Sequence, residues 1–241
     1  IQFIPDLNTG YELTDNYLKI ATSTTYSELI EILSKGIDNL KHINRKTTIS
    51  DISILEALDY MARRTAGRIV RNAATIGGNT MLVLKHIPTG TGEPFPSDLF
   101  TALFAVETKI TYLLLDKNGS FKEHTKTAEA LVEAIIKDPK LADEIVLTSY
   151  TIPLKDANDV ALAQKVALRE VNAHSIVNST INFSINDELI VKSAVLVFGG
   201  IAPYPWRAAT TEKAMKDKKL TLADAEKLTK ILAKEVLEEL D

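Results

Sequence analysis

The chain contains no cysteine. That excludes disulfides, thiolate catalysis and any iron–sulfur cluster or zinc ion held by thiolates of this chain, and it fits a reducing, cytoplasmic setting. Basic charge is not in excess either. Lysine and arginine number 28 against 32 acidic residues, for a net charge of −4, and they are spread along the sequence. This argues against a nucleic-acid or anionic-membrane surface. No apolar run approaches the roughly 18 residues that span a bilayer. The first residue is Ile1, and no charged-then-apolar leader follows it. The expectation is a chain without a signal peptide, and a fragment whose beginning lies elsewhere. The four histidines (His42, His86, His124, His174) show no ligand spacing, and no serine sits in a G-x-S-x-G setting, so neither a metal site nor a hydrolase triad is expected.

What is present is ordinary globular material: 241 residues, 45% hydrophobic and 25% charged, enough for one or two domains with a large core. Residues 17–22 (YLKIAT) read as a short strand. Thr25 and Glu28 form a capping-box pattern ahead of Leu29, Ile30 and Leu33, and Gly36 is the expected stop. Residues 37–50 are polar and aperiodic and read as a surface connection. Ile52, Leu55, Leu58, Met61 and Ala62 recur at helical spacing up to Gly67. A proline- and glycine-rich loop is expected over 87–96, a short apolar helix over 98–106 and a strand over 109–115. A helix over 127–136 follows, then strands over 144–152 and 162–168. Ile181, Phe183 and Ile185 alternate with polar residues, and an Asn186-Asp187 turn leads to a return strand over 191–198. The closing segment, 221–240, reads as an amphipathic helix with Leu222, Ala225, Leu228, Leu232 and Val236 on one face. The change in character near Pro139 places a domain boundary over 137–143.

The most informative stretch is Arg71-Asn72-Ala73-Ala74-Thr75-Ile76-Gly77-Gly78-Asn79. Adjacent glycines bring backbone N–H groups close to a bulky anion and reach dihedrals closed to other residues, so the segment reads as a glycine turn. A tight turn without a ligand is the alternative reading. Phe198-Gly199-Gly200 equally reads as the end of a strand, Asp98 as the N-cap of the following helix, and Lys165 as part of a solvated strand face.

Taken in order, Ala74-Thr75-Ile76-Gly77-Gly78-Asn79, Ser97-Asp98-Leu99 and Phe198-Gly199-Gly200-Ile201-Ala202-Pro203 with Arg207-Ala208 resemble the FAD-binding medium subunit of molybdenum hydroxylases, the xanthine dehydrogenase, carbon monoxide dehydrogenase and nicotinate dehydrogenase type. Ala21-Thr22-Ser23-Thr24-Thr25-Tyr26 is similar to a further segment of that family. The resemblance implies an α+β fold: an FAD-binding domain of the vanillyl-alcohol-oxidase type over 1–140, lacking its first lobe, and a smaller C-terminal α/β domain with an antiparallel sheet over 141–241. It also implies a glycine-rich phosphate-binding segment upstream of Ile1.

By the same resemblance, the backbone of Ala74, Thr75, Ile76, Gly77 and Gly78 lines the flavin diphosphate and ribityl chain, with Thr75 as a hydroxyl donor. Asn79 and Met81 approach the isoalloxazine ring. Ser97 belongs to the cofactor-binding set, Asp98 accepts from the adenosine ribose, and Leu147 and Lys165 contact the flavin ring. No side chain is implied in catalysis. The implied partners are a large molybdopterin-binding subunit and a small subunit with [2Fe–2S] clusters, with NAD as one acceptor for the electrons. A stand-alone flavin oxidoreductase of the same superfamily and a non-catalytic assembly subunit that has lost FAD are the alternative readings.

Overall fold

The computed structural model describes residues 7–43, 49–87, 95–154, 159–219 and 221–241. The elements run β1 (Tyr11–Leu13), β2 (Tyr17–Ala21), α1 (Tyr26–Ile43), α2 (Ile49–Arg64), α3 (Arg68–Ala73), α4 (Ile76–His86) and α5 (Asp98–Ala105). Then come β3 (Lys109–Leu115), β4 (Phe121–Thr127), α6 (Ala128–Lys137), α7 (Leu141–Glu144), β5 (Ile145–Pro153) and β6 (Asp159–Val166). The chain closes with β7 (Val177–Ile185), β8 (Val191–Gly199), β9 (Trp206–Arg207), α8 (Ala209–Met215) and α9 (Leu222–Leu240). Two sheets form, in the orders β1-β2-β5-β3-β4 and β6-β7-β8-β9. Every pairing in both is antiparallel. The mixed helix-and-antiparallel-sheet class expected from the sequence is the one observed. Among the described residues no helix is long and apolar enough to cross a membrane.

One continuous core joins the two sheets through the helices. It takes Leu18, Ile20, Ile110 and Tyr150 from the first sheet, Leu33, Leu58, Leu84 and Phe100 from the helices, and Ala161, Ala163 and Val197 from the second sheet. A smaller core lies on the far side of the second sheet, where Val191, Leu196, Trp206 and Met215 meet Leu228, Leu232 and Val236 of α9. Alternation along β7 is inverted relative to the main core. Ile181 and Ile185 face the smaller core, while Asn178, Thr180 and Asn182 are buried on the other side. There the polar row grips the ends of α5: Asn178 Nδ2 donates to the Pro96 carbonyl at 3.2 Å and Asn182 Nδ2 to the Ala105 carbonyl at 3.2 Å. Gly199 is required beside this row, because a Cβ there would lie 2.4 Å from Asn178 Oδ1 and 2.8 Å from Thr101 Oγ1.

Several local expectations are corrected. Helix α1 passes through Gly36 instead of stopping, because the glycine lets α1 pack closely; a Cβ there would meet Leu55 at 3.2 Å and Leu13 at 3.4 Å. The connection expected over 37–50 is therefore helical to Ile43 and again from Ile49, and residues 44–48 lie outside the described residues, as do 88–94 of the loop expected over 87–96. Strand β4 went unread, since six of its seven residues are exposed and it has no apolar face to reveal it. Strand β5, which lies beyond the expected boundary at 137–143, pairs with β2 and β3 in the first sheet. On α9, Leu222 is 89% exposed and outside the apolar contact. The glycine pair is not a turn: Gly77 and Gly78 occupy the first turn of α4, and neither is among the positive-φ residues.

Gly77 is instead a packing requirement. A Cβ at this position would fall 2.0 Å from Thr22 Oγ1 and 2.8 Å from the Thr22 carbonyl, a rigid backbone neighbour. Gly77→Ala is expected to destabilise the protein by about 1–3 kcal/mol in urea unfolding, the usual range for overpacking. Wild-type stability in that variant would contradict this reading.

Helix α9 is clipped to α8 by Glu235, which accepts from the Thr210 amide at 2.7 Å, the Thr211 amide at 2.8 Å and the Thr211 hydroxyl at 2.7 Å. Burial opposes this charge, but the donated hydrogen bonds outweigh it and hold the carboxyl below its ordinary value of 4.5. The stability this clip supplies is fully present above the free carboxyl value and is lost as pH falls through the lower folded-state value. Urea midpoints followed from about pH 7 to about pH 3 should fall more steeply for the wild type than for Glu235→Gln; parallel profiles would show that the clip contributes nothing.

Candidate functional site

Two helix N-termini converge on one cavity. At the start of α4 the Thr75 hydroxyl accepts from Gly78 N at 3.0 Å, and at the start of α5 the Ser97 hydroxyl accepts from Phe100 N at 3.1 Å. Ser97 also donates to Asn79 Oδ1, which ties the two caps together. The positive ends of both helix dipoles thus lie side by side. The cavity beside them has a volume of about 730 Å³ and is walled by Ala74, Thr75, Gly78 and Asn79 on one side and by Asn172, Ala173, His174 and Ser175 on the other. Known small-molecule sites span about 300–1,000 Å³. Thr65, Ala66 and Val70 form a third wall, and Tyr26 also contributes to the lining. The Tyr26 hydroxyl is buried without a hydrogen bond of ordinary geometry. Burial and the nearby Asp98 charge push its ionisation upward, with the Thr65 and Ser97 hydroxyls opposing.

The far wall is held in place by a buried ion pair. Lys165 Nζ of β6 lies 2.6 Å from Asp98 Oδ2 in the first turn of α5, and their side chains are only 3% and 6% exposed. Lys165 also donates to the Arg64 carbonyl at 2.9 Å and the Ala173 carbonyl at 3.0 Å, so its three protons are all engaged. Asp98 Oδ1 accepts in turn from Ser175 Oγ and, at 2.9 Å, from Asn178 Nδ2. Charge, helix end and loop form one network with every proton of the lysine placed, the condition under which a buried pair is tolerated.

The residues expected from the sequence divide into three groups. Ala74, Thr75, Gly78, Asn79, Ser97 and Asp98 line the cavity. Ile76, Gly77 and Leu147 are buried inside the protein and Met81 packs against the main core, so these four shape the surroundings. Asp98 and Lys165, read separately as a ribose contact and a flavin contact, are partners of each other, and the solvated strand face considered for Lys165 is excluded by its burial. The expected set of exposed amides over 74–78 is also altered. Ile76 N donates to Thr24 O at 3.0 Å, Gly77 N to Thr22 O at 3.0 Å and Ala74 N to Val70 O at 2.7 Å. The segment from Thr22 to Tyr26, which carries part of the resemblance, is thus a pairing partner of the Ala74–Gly78 segment.

Sequence reasoning missed Tyr26, Ala66 and the 172–175 loop as wall. Nothing in their local pattern marks them; only the fold brings them together. The N-cap read at Asp98 falls instead on Ser97, and the cap at Thr75 went unread.

Comparisons with known proteins agree on one family. The model of the FAD binding domain in molybdopterin dehydrogenase matches residues 1–155, and that of the CO dehydrogenase flavoprotein C-terminal domain matches residues 163–239. A xanthine dehydrogenase from Blastobotrys adeninivorans is 29% identical over 98% of this chain, which spans 15% of that protein. An indole-3-acetaldehyde oxidase from Zea mays is 29% identical over 85% of this chain, which spans 16% of it. The chain thus covers a small part of these curated relatives. Among solved structures, carbon monoxide dehydrogenase from Hydrogenophaga pseudoflava superposes with a TM-score of 0.67 at 17% identity, covering 96% of this chain and 68% of that one. Quinoline 2-oxidoreductase from Pseudomonas putida 86 gives 0.66 at 13% identity, covering 96% and 68%. At these identities the structures show the fold.

The ion pair provides a direct test of how this wall is built. Lys165→Met leaves the Asp98 carboxylate buried without its counter-charge and should lower unfolding stability by about 3–5 kcal/mol. Adding Asp98→Asn should recover part of that loss. A Lys165→Met variant within about 1 kcal/mol of wild type would mean that the pair does not brace the wall.

Proposed function

The chain belongs to the family of FAD binding domains in molybdopterin dehydrogenases, and from that premise we propose that it holds FAD in the cavity between α4, α5 and the 172–175 loop. The observation that carries this reading is the cavity itself. Its lining is mainly apolar, it has a few polar edges, and it opens where two helix N-termini meet. These features fit a large flat group with hydrogen-bonding rims and negative charge nearby. Gly78 presents no side chain to it and Ala74 only a methyl. The Asn79 amide nitrogen and the Thr75 hydroxyl proton have no protein acceptor among the described residues, so both are free to donate. No lysine or arginine lines the cavity among those residues, so negative charge there is met by the helix dipoles. The Ile76 and Gly77 amides are engaged with Thr24 and Thr22 and are not donors to the cavity.

In this reading Ala74, Thr75, Gly78, Asn79 and Ser97 touch the cofactor. Ile76, Gly77, Met81 and Leu147 support them, and Asp98 with Lys165 fixes the opposite wall. The two family matches, which end at 155 and begin at 163, support a division of the chain at the β5–β6 connection. When bound, FAD supplies reversible two-electron chemistry that also proceeds in single-electron steps. The chain's own residues bind and orient it and exclude water from one side. Asp98, the carboxylate of the wall, is neutralised by Lys165 and is not poised to move a proton. We further propose that electrons arrive from [2Fe–2S] clusters on a partner subunit, that the substrate is oxidised at a molybdopterin on a large subunit, and that NAD or another acceptor takes the electrons onward in the cytoplasm. A chain without cysteine has no thiolates for such clusters.

Titration of the purified chain with FAD, followed by quenching of flavin fluorescence, tests the central part. Quenching with a defined stoichiometry is expected. Ala74→Glu, which sets a carboxylate on the cavity wall, should weaken binding by at least about tenfold. A folded wild-type chain that leaves flavin emission unchanged would overturn the assignment.

A further inference from the structure

Arg71 lies three residues ahead of the Ala74–Asn79 segment that carries the family resemblance, and outside the cavity lining. Its Nη1 group instead points its two protons at three carbonyls at and just past the end of α2, one proton being shared: Arg63 at 2.9 Å, Thr65 at 3.0 Å and Ala66 at 2.9 Å. The remaining carbonyl of that stretch, Arg64, is taken by Lys165 at 2.9 Å. A helix leaves its last four carbonyls without intrahelical partners. In α2 the Met61 and Ala62 carbonyls are met by Thr65, while those of Arg63 and Arg64, and of Thr65 and Ala66 in the turn that follows the helix, are closed by two cations, one from α3 and one from β6.

The turn that these cations close is strained. Ala66 holds a φ of +47°, a left-handed conformation that disfavours any residue with a Cβ. The next residue, Gly67, presses on the opposite wall so closely that a Cβ there would fall 2.5 Å from Asn172 Oδ1. Asn172 is itself left-handed, at φ +54°. Thr65 and Ala66 line the cavity from one side and Asn172 from the other. Ala66 is the strained member, since asparagine adopts the left-handed region readily, and the Arg71 guanidinium is the group placed to hold it.

We propose that Arg71 is a positioning residue for the cofactor site: by clamping the Arg63, Thr65 and Ala66 carbonyls it holds the left-handed turn whose side chains and backbone form one cavity wall. The inference rests on the assignment of FAD to that cavity. It differs from a direct contact, because Arg71 acts through Ala66.

The test compares the wild type with Arg71→Ala, Arg71→Lys and the double variant Arg71→Ala/Ala66→Gly. Two readouts are used: FAD affinity by fluorescence quenching, and amide hydrogen exchange over residues 63–68 in the FAD-free protein. Arg71→Ala should weaken FAD binding at least about tenfold, the scale expected for a slightly misplaced wall, and should speed exchange over 63–68. Arg71→Lys should restore most of the affinity, since an ammonium also reaches several carbonyls. Glycine takes up the left-handed turn without strain, so the double variant should bind FAD more tightly than Arg71→Ala alone. Direct contact between Arg71 and the cofactor predicts no such recovery, and its absence would overturn the proposal. Unchanged exchange over 63–68 in Arg71→Ala would also overturn it, whether or not FAD binds. If the wild type binds no FAD, the assignment of the cofactor fails while the exchange readout still decides the role of Arg71 in the turn.

Discussion

Lys165 sits where the second sheet meets α2 and α5, and its ammonium lies against Asp98 out of reach of water. A charge in that position is tolerable only if every proton finds an acceptor. The acceptors are the Asp98 carboxylate, the end of α2 and the loop after β6. Each partner belongs to a different wall of the cavity, so satisfying one ammonium fixes the walls relative to one another. The cavity is in this sense a consequence of a desolvated charge.

The same constraint explains the inverted face of β7. Apolar residues would serve the core better at Asn178 and Asn182, but α5 presents its end groups there, and those require partners. Asn178 meets both Asp98 and the Pro96 carbonyl, and Asn182 meets Ala105. Gly199 then follows from Asn178, because no side chain fits beside it. A second set of charges links elements further along: Arg207 lies 2.8 Å from Glu129 on α6 and 2.6 Å from Glu212 on α8. Arg207, part of the third segment that carried the family resemblance, thus has a structural assignment. Its guanidinium is held protonated by the two carboxylates, Glu212 foremost.

Elements with strong local signals were legible. The capping box at Thr25 and Glu28 forms as read, with Thr25 N donating to Glu28 Oε2 at 2.8 Å and Glu28 N to Thr25 Oγ1 at 3.2 Å. The hairpin around Asn186 and the helix after Thr221 also appear at the expected places. What escaped was set by tertiary packing. Gly36 and Gly77 read as breakers, because a glycine's local signal is conformational freedom; both are used for close approach within helices. Asp98 and Lys165 stand 67 residues apart in sequence, and no local pattern announces that they pair. Of the Ala74–Asn79 segment, Ala74, Thr75, Gly78 and Asn79 face the cavity. The expectation of open amides failed at Ile76 and Gly77, because the Thr22–Thr24 segment reaches them first.

In the proposed reading the glycine-bearing segment therefore contributes through shape and helix polarity more than through open amides, and residues 172–175, after β6, complete the enclosure. The crystal structure of the chain grown with FAD tests this most directly. The account predicts flavin density between the N-termini of α4 and α5 and the 172–175 loop, with Lys165 still paired to Asp98 and the Ile76 and Gly77 amides still bonded to Thr24 and Thr22. Density in another part of the molecule, or a cofactor that separates Lys165 from Asp98, would contradict it.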